Sequence, residues 1–373
     1  MSGSYPHLRL HLALGLVFGT VLATGAATGA WGSEGQPTQL PRPSGVRLSS
    51  DAAARDWVAR SGDRWAAFYT PQQYATMAEA LDGRYTGVGL WVSRSAAGVV
   101  TVSKVPPGGP ADRAGVRVGE RLLAVDGRAV GGLPVTETVA LLRGAPQDAG
   151  STVALRLQRG RSVRQVELRR ELLDTDDVVV DRPAAGITRI AVSAFTAGTG
   201  DQVADAVRAR AAGTRGGGIL LDLRGDSGGL LDESVRAASA FLDGGPVGSY
   251  QADGATHWLT ATPGGDTGTP VVVLVDGGTM SAAELLTGAL QDRDRAVVVG
   301  SRTFGKGAVQ QPSPVSGGGT LEQTVGHYRT PVGRDLDGTG ITPDVAVPAT
   351  AGPQAAERTA ITVLNDLAAA DPG

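Results

Sequence analysis

The sequence predicts an α/β core preceded by a helical segment and carrying a small, inserted β-rich domain. Three observations predict it. Apolar runs long enough for buried strands alternate with helical stretches between 181 and 347. Five short strand-like runs with only two short helical pieces fill 86–170. Ahead of both, 51–85 reads as helix anchored by aromatic residues.

In chain order, Arg9 is followed by an uncharged stretch over 12–33, strongly apolar over 12–23 and then thinning into Thr24-Gly25-Ala26-Ala27-Thr28-Gly29-Ala30. A basic start, an apolar run and a small-residue region describe an export leader. Residues 1–31 are therefore expected to be a cleaved signal peptide or a retained membrane anchor, with membrane association through 12–31. Either outcome puts the protein on the extracytoplasmic face of the membrane or outside the cell. The Pro/Gly/Ser-rich stretch 32–50 reads as a linker. In the segment 51–85, Trp57, Trp65, Phe68, Tyr69 and Tyr74 are apolar anchors, and Thr70-Pro71 is a helix restart with proline in the first turn.

The module 86–170 has strand-like runs at 88–92, 99–105, 121–125, 153–158 and 163–168, with helical pieces at 111–114 and 135–142. It opens with Gly87-Val88-Gly89-Leu90. A Gly-x-Gly loop can aim successive backbone N–H groups at a carboxylate, while an extended peptide adds as a strand beside it; an ordinary glycine-rich turn is the plainer alternative. The core, 171–373, has strands at 187–192 and 218–223 around a helix at 202–212, a helix at 230–242, a hairpin-like stretch at 244–268 and a closing helix at 353–370.

Composition narrows the chemistry. The 373 residues carry 34 Lys and Arg against 37 Asp and Glu, which gives no reason to expect nucleic acid. Cysteine is absent, so thiolate catalysis, disulfides and Cys-based zinc sites are excluded, and four scattered histidines give no metal-ligand pattern. No metal or cofactor is expected.

Two motifs carry the chemistry. Gly278-Thr279-Met280-Ser281-Ala282-Ala283-Glu284 follows the apolar run 271–275, and Thr303-Phe304-Gly305-Lys306-Gly307-Ala308-Val309-Gln310 follows the run 296–299. Each sits past the carboxyl end of a buried strand, where open α/β sheets build their sites. A hydroxyl needs a neighbouring base to become a nucleophile. A lysine serves if burial favours its neutral form, and serine–lysine pairs are a known variant of the serine triad.

These residues resemble the C-terminal processing peptidases, or tail-specific proteases. That family has Ser-Ala-x-Glu, a lysine 25 residues after the serine and a glutamine four beyond the lysine. Ser281, Glu284, Lys306 and Gln310 match it position for position. The resemblance runs from 51 to the end, through Phe68-Tyr69-Thr70-Pro71, the PDZ-like Gly87-Val88-Gly89-Leu90 and Pro110-Ala111-Asp112-Arg113-Ala114-Gly115, and the tail piece Gly338-Thr339-Gly340-Ile341-Thr342-Pro343-Asp344. It implies a ClpP/crotonase-like protease core with an inserted PDZ domain, catalysis by Ser281 and Lys306, and a PDZ domain that selects protein or peptide substrates by a free carboxyl terminus and gates the site. Gln310, expected one helical turn or a similar offset beyond Lys306, would orient the amine. Glu284 would cap the helix start or steady the nucleophile's loop. The N–H groups of Gly228 and Ala282 would form the oxyanion hole, with Gly229 as the competing donor. Natural substrate and oligomeric state stay open.

The same resemblance expects Asp-Leu-Arg-x-Asn-x-Gly-Gly where this chain has Asp222-Leu223-Arg224-Gly225-Asp226-Ser227-Gly228-Gly229, so Asp226 replaces Asn and Ser227 replaces Pro. Gly-Asp-Ser-Gly-Gly is also the nucleophile signature of trypsin-like proteases. That fold orders His before Asp before Ser, and only His7 and His11, both in the leader, precede Ser227. The trypsin-like reading is set aside. A non-catalytic PDZ adaptor is the alternative from another class, disfavoured because Ser281, Lys306 and Gln310 are all present.

Overall fold

The computed structural model describes residues 50–370 apart from 96, 214–216 and 253. The leader expected over 1–31 and nearly all of the 32–50 linker lie outside the described residues. No helix among the described residues is long and apolar enough to cross a membrane. Two compact units are present, Pro71–Thr175 and a core formed by 50–70 with 176–370.

Helix α1 (Asp51–Arg60) opens the core's amino-terminal piece, capped by the Ser50 hydroxyl, which accepts from Ala53 N–H at 3.2 Å. The helix expected to continue to Pro71 does not. Ala67–Tyr69 is instead a strand, β1, paired antiparallel with 320–322. Aromatic residues suit a half-buried pleated surface, and a following proline pushes the residue before it toward extended backbone.

Helix α2 (Pro71–Leu81) belongs to the other unit. There β2 (Arg84–Gly87), β3 (Trp91–Arg94), β4 (Val100–Lys104), the short α3 (Pro110–Arg113), β5 (Arg121–Val125), β6 (Arg128–Ala129), α4 (Val135–Leu142), β7 (Thr152–Arg159), β8 (Ser162–Arg169) and β9 (Glu171–Asp174) follow. The main sheet has the order β3-β4-β5-β7-β8, with β6 on β5 and β2 paired separately with β9. Along β7, Val153, Leu155 and Leu157 are buried while their neighbours are not, the period of two that a one-sided sheet demands. They close a core with Val88, Val92, Val102 and Leu122. β3 is an edge strand, and α4 packs beside it.

The core continues through β10 (Val178–Ala184), β11 (Ile187–Val192), α5 (Thr199–Gly213), β12 (Gly218–Asp222), α6 (Leu231–Ser239), the hairpin β13 (Pro246–Ala252) and β14 (Ala255–Thr260), β15 (Val271–Val275), α7 (Ala282–Asp292), β16 (Val297–Gly300), β17 (Ala308–Pro314), β18 (Thr320–Arg329), β19 (Val345–Ala346) and α8 (Pro353–Ala370). Its main sheet has the order β10-β11-β12-β15-β16-β19, parallel except at β10. Every residue of β12 and of β15 is buried, because helices cover both faces. Val203, Leu231, Leu285 and Leu286 fill one side, and Ala356, Ala360 and Leu364 of α8 the other. A second sheet, β1-β18-β13-β14 with β17 on β18, completes the core.

Candidate active site

β12, β15 and β16 are adjacent and parallel, so the three loops that leave their carboxyl ends emerge side by side. These loops hold Gly228, Ser281 and Lys306. Hydrogen bonds stitch them together. Thr279 donates its hydroxyl to the Leu223 carbonyl at 2.8 Å, Met280 N–H donates to the Asp226 carbonyl at 2.9 Å, and Phe304 N–H donates to the Thr279 carbonyl at 3.0 Å.

Ser281 is the residue immediately before α7, with φ 54° and ψ −117°. A side chain in that left-handed region costs roughly 1–3 kcal/mol and persists only where the surroundings enforce it. Its side chain is fully buried, and Oγ has no hydrogen-bond partner. Only the return half of a capping box is made: Ser281 N–H donates to Glu284 Oε2 at 2.9 Å, leaving the hydroxyl unspent.

Glu284 is the hub of the site. The oxygen that takes the Ser281 amide also takes the Lys306 amide at 2.8 Å. Its other oxygen accepts from the Thr303 hydroxyl at 2.5 Å and from Gly305 N–H at 2.7 Å. One carboxylate thus holds the backbones of Ser281 and Lys306 beside each other. Burial pushes its pKa up, and the four donors oppose that.

The Lys306 side chain is buried, its ammonium nitrogen 5.1 Å from the centroid of the Trp65 ring, with no hydrogen bond or ion pair among the described residues. Desolvation brings its pKa down to about 8, against the opposing pull of Glu322, Asp63, Asp337 and Glu284. Trp65 is fixed by donating Nε1–H to Asp337 Oδ1 at 3.0 Å, and Arg64 pairs with the same carboxylate at 2.9 Å.

Gln310 does not lie a helical turn beyond Lys306. Lys306 is in the loop and Gln310 is the third residue of β17, because the segment after Lys306 pairs with β18. Gln310 donates Nε2–H to the Trp65 carbonyl, and its Oε1 is buried without a partner. It does not hydrogen-bond Lys306.

Gly228 comes directly against Ser281: a Cβ there would lie 2.8 Å from the Met280 carbonyl oxygen and 2.9 Å from Ser281 Cβ. Its own N–H, however, donates to Asp226 Oδ1 at 2.8 Å. The Ala282 and Gly229 N–H groups meet no acceptor among the described residues. Asp226 is fully buried with Oδ2 unpaired, and burial raises its pKa well above the ordinary carboxyl range. Ser227 is also buried with an unpartnered Oγ. Of the histidines of the core, His257 stacks on Tyr250, and His327 lies 3.7 Å from Asp337, the carboxylate that holds Trp65. Among the described residues no three His, Asp or Glu side chains gather in metal-binding fashion.

Trp65, Asp337, Thr303 and Glu322 were not singled out as site residues by the sequence. Thr303 lies inside the Lys306 motif, the one signal available. Trp65 and Glu322 are brought in by β1 and β18, whose pairing has no local signature.

In the other unit, Gly87 ends β2 and Val88–Leu90 leads into β3. Gly89 has φ +69°, which a side chain would resist, and the Val88 carbonyl accepts from Ala111 N–H at 3.0 Å. The N–H groups of Val88, Gly89 and Leu90 meet no acceptor among the described residues.

Comparison with known proteins agrees with this architecture. Peptidase family S41 is matched over residues 186–347 and a PDZ domain over residues 101–159. The chain is 32% identical over 330 residues to the chloroplast carboxyl-terminal-processing peptidase 2 of Arabidopsis thaliana, covering 82% of this chain and 62% of that protein. To a carboxyl-terminal-processing protease of Synechocystis sp. it is 32% identical over 313 residues, covering 82% of this chain and 73% of the relative. The solved photosystem II D1 C-terminal processing protease superposes with a TM-score of 0.52 at 30% identity, over 84% of this chain and 85% of that one. The chain belongs to peptidase family S41, beside the carboxyl-terminal-processing proteases, and carries a PDZ domain ahead of its peptidase domain.

Proposed function

We propose that the protein is a serine endopeptidase that takes protein substrates by a free carboxyl terminus on its PDZ domain and cleaves them through an acyl-enzyme on Ser281, with Lys306 as general base. The observation that carries this reading is the shared Glu284 carboxylate, which holds the amides of Ser281 and Lys306 at 2.9 and 2.8 Å. A buried, unspent hydroxyl and a buried amine of lowered pKa are thereby set on neighbouring loops. Neutral Lys306 takes the Ser281 proton as Oγ attacks the scissile carbonyl, then gives it to the leaving amine. Water activated by the same amine releases the acyl group. At rest the hydroxyl is unbonded, so the pair engages when substrate enters; such bonds often tighten only in the complex.

Ala282 N–H, in the first turn of α7 and aided by the helix dipole, stabilises the oxyanion. The second donor is the Gly229 N–H, or the Gly228 N–H once it leaves Asp226. Gln310, with Oε1 free, receives the amine as it swings from Trp65. The parallel sheet with helices on both faces supports a ClpP/crotonase-like core. On the PDZ unit, uncommitted amides at the Gly87–Leu90 turn and the open edge of β3 support capture of a terminal carboxylate with strand addition. The uncharged stretch 12–33, strongly apolar over 12–23, supports export, with the enzyme anchored at the extracytoplasmic face or secreted.

Replacing Ser281 and Ser227 separately with alanine tests the assignment, with hydrolysis of an unstructured protein substrate as readout. S281A is expected to lose turnover and S227A to retain it. Loss confined to S227A would return the trypsin-like reading, and an inactive parent chain that still binds peptide tails would favour the adaptor.

A further inference from the structure

Helix α8 lies along β12. At the amino end of the strand, a Cβ on Gly218 would stand 2.5 Å from Leu364 Cδ1, and just past its carboxyl end the first turns of α8 meet Arg224. Arg224 donates Nε–H and Nη2–H to the two Asp222 oxygens at 2.8 and 2.6 Å. It donates Nη1–H to the Pro353 carbonyl at 2.8 Å and Nη2–H to Glu357 Oε2 at 3.3 Å. The side chains of Arg224 and Glu357 are each only 14% exposed, so salt and water screen the pair weakly. The other Glu357 oxygen accepts from Arg189 of β11 at 3.2 Å, and Arg189 also pairs with Asp181 of β10 at 2.5 Å. Each arginine thus has a carboxylate of its own, Asp222 or Asp181, and Glu357 joins α8 to both.

Arg224 is flanked by two residues that tie its loop to the loop of Ser281. The Leu223 carbonyl takes the Thr279 hydroxyl at 2.8 Å. Gly225 N–H donates to Asp276 Oδ1 at 2.9 Å, the same oxygen that takes Gly278 N–H at 2.8 Å. Beyond Arg224, Gly225, Gly228 and Gly229 have φ of +69°, +84° and +138°, so the turn is built of the residue type that restrains a backbone least. Such a turn keeps one shape when it is held from outside, and the Arg224 guanidinium holds its start. We propose that Glu357 is a positioning residue: acting through Arg224, it makes α8 the support that keeps the Gly228–Gly229 turn against Ser281 and the oxyanion donors in place. This rests on Ser281 being the nucleophile and on that turn supplying a donor. A misplacement of about 1 Å transmitted from far away can cost about 100-fold in rate. The effect therefore falls on kcat, while KM, set by contacts along the rest of the substrate, is spared.

Glu357→Met removes both acceptors at nearly the same length, and each arginine keeps its own carboxylate. The full-length protein is assayed on an unstructured protein substrate, well below the melting temperature of each variant. E357M is expected to lower kcat by about tenfold or more with KM held within about twofold. Arg189→Met cuts the same carboxylate from its other partner and leaves Arg224 paired, so it is the control for a purely structural role, with kcat expected within about twofold of the unaltered chain. The double variant of Arg224→Met with Glu357→Met should be no slower than R224M alone, because the carboxylate acts through the guanidinium. Unchanged kcat in folded E357M, an equal fall in R189M, or losses that multiply in the double variant each overturn the proposal. S281A in the same assay keeps the two readings apart. If it is inactive while E357M keeps full kcat, the Ser281 reading stands and this proposal alone falls. Hydrolysis that survives S281A, or none by the unaltered chain, removes both. Should E357M not fold, Arg224→Lys takes its place: the charge is kept, yet an ammonium cannot reach Asp222, Glu357 and the Pro353 carbonyl as the guanidinium fork does. An undiminished kcat in R224K is equally fatal.

Discussion

As the proposed base, Lys306 would work only without its proton, and its surroundings set the pH at which that happens. Desolvation outweighs four facing carboxylates and leaves the amine titrating at about 8. The rate is therefore expected to climb about tenfold per pH unit below that value and to level off above it. A kcat/KM profile flat from pH 6 to 9 would count against the lysine. Glu284 makes the complementary case, since every one of its bonds is accepted. In Glu284→Gln one end of the amide must point N–H groups at donors, leaving two backbone or hydroxyl groups unsatisfied in the interior. The expected cost is about 2–4 kcal/mol. Thermal denaturation would then show a midpoint lower by roughly 4–16 °C, at about 2–4 °C per kcal/mol. The residue signals that were legible in sequence were those confined to two short motifs: Ser281 with Glu284, and Lys306, fall together because their loops leave neighbouring strands. The buried Glu322 was not legible, since it is enclosed only once β18 pairs with β1 and β17.

At the scale of elements, the site is three loops from β12, β15 and β16, and its precision depends on how closely they pack. Gly228 is the tightest point. With φ +84° and the Met280 carbonyl 2.8 Å from where a Cβ would stand, Gly228→Ala adds backbone strain and pushes the β12 loop off Ser281. The expected result is a folded chain with kcat reduced 100-fold or more, comparable to the loss of one oxyanion donor. Near-normal kcat in that variant would show the loop to be a bystander. The parallel strands were readable because β15 and β16 are uniformly apolar runs ending in glycine-rich turns. β1 was not. Phe68-Tyr69-Thr70-Pro71 sits between two helices, and nothing local separates a continued helix from an edge strand until Thr320–Glu322 supplies the partner. The same pairing explains Gln310, whose spacing from Lys306 fits a helical turn as well as a strand.

At the scale of the whole molecule, the chain divides where side chains reach across turns rather than where composition changes. The sequence put the helix from Pro71 with the amino-terminal segment and began the small domain at 86. In the structure Glu79 of that helix accepts from both the backbone N–H and the hydroxyl of Thr86, at 3.0 and 2.9 Å, and so binds α2 to the start of β2. A domain with its own core and its own glycine turn can be tested inside the intact protein. If the Gly87–Leu90 amides grip a terminal carboxylate, a peptide tail and its amidated twin differ by charge-assisted hydrogen bonds, worth about 2–3 kcal/mol together. Binding to the Ser281→Ala chain should then weaken by about 30-fold or more on amidation. Cleavage by the unaltered chain at low substrate should fall by a similar factor. Equal binding of both peptides would leave β3 and its loop without a part in recognition. Equal binding with unequal cleavage would move the discrimination to the cleft at Ser281, where a free terminus would have to be read by the core itself.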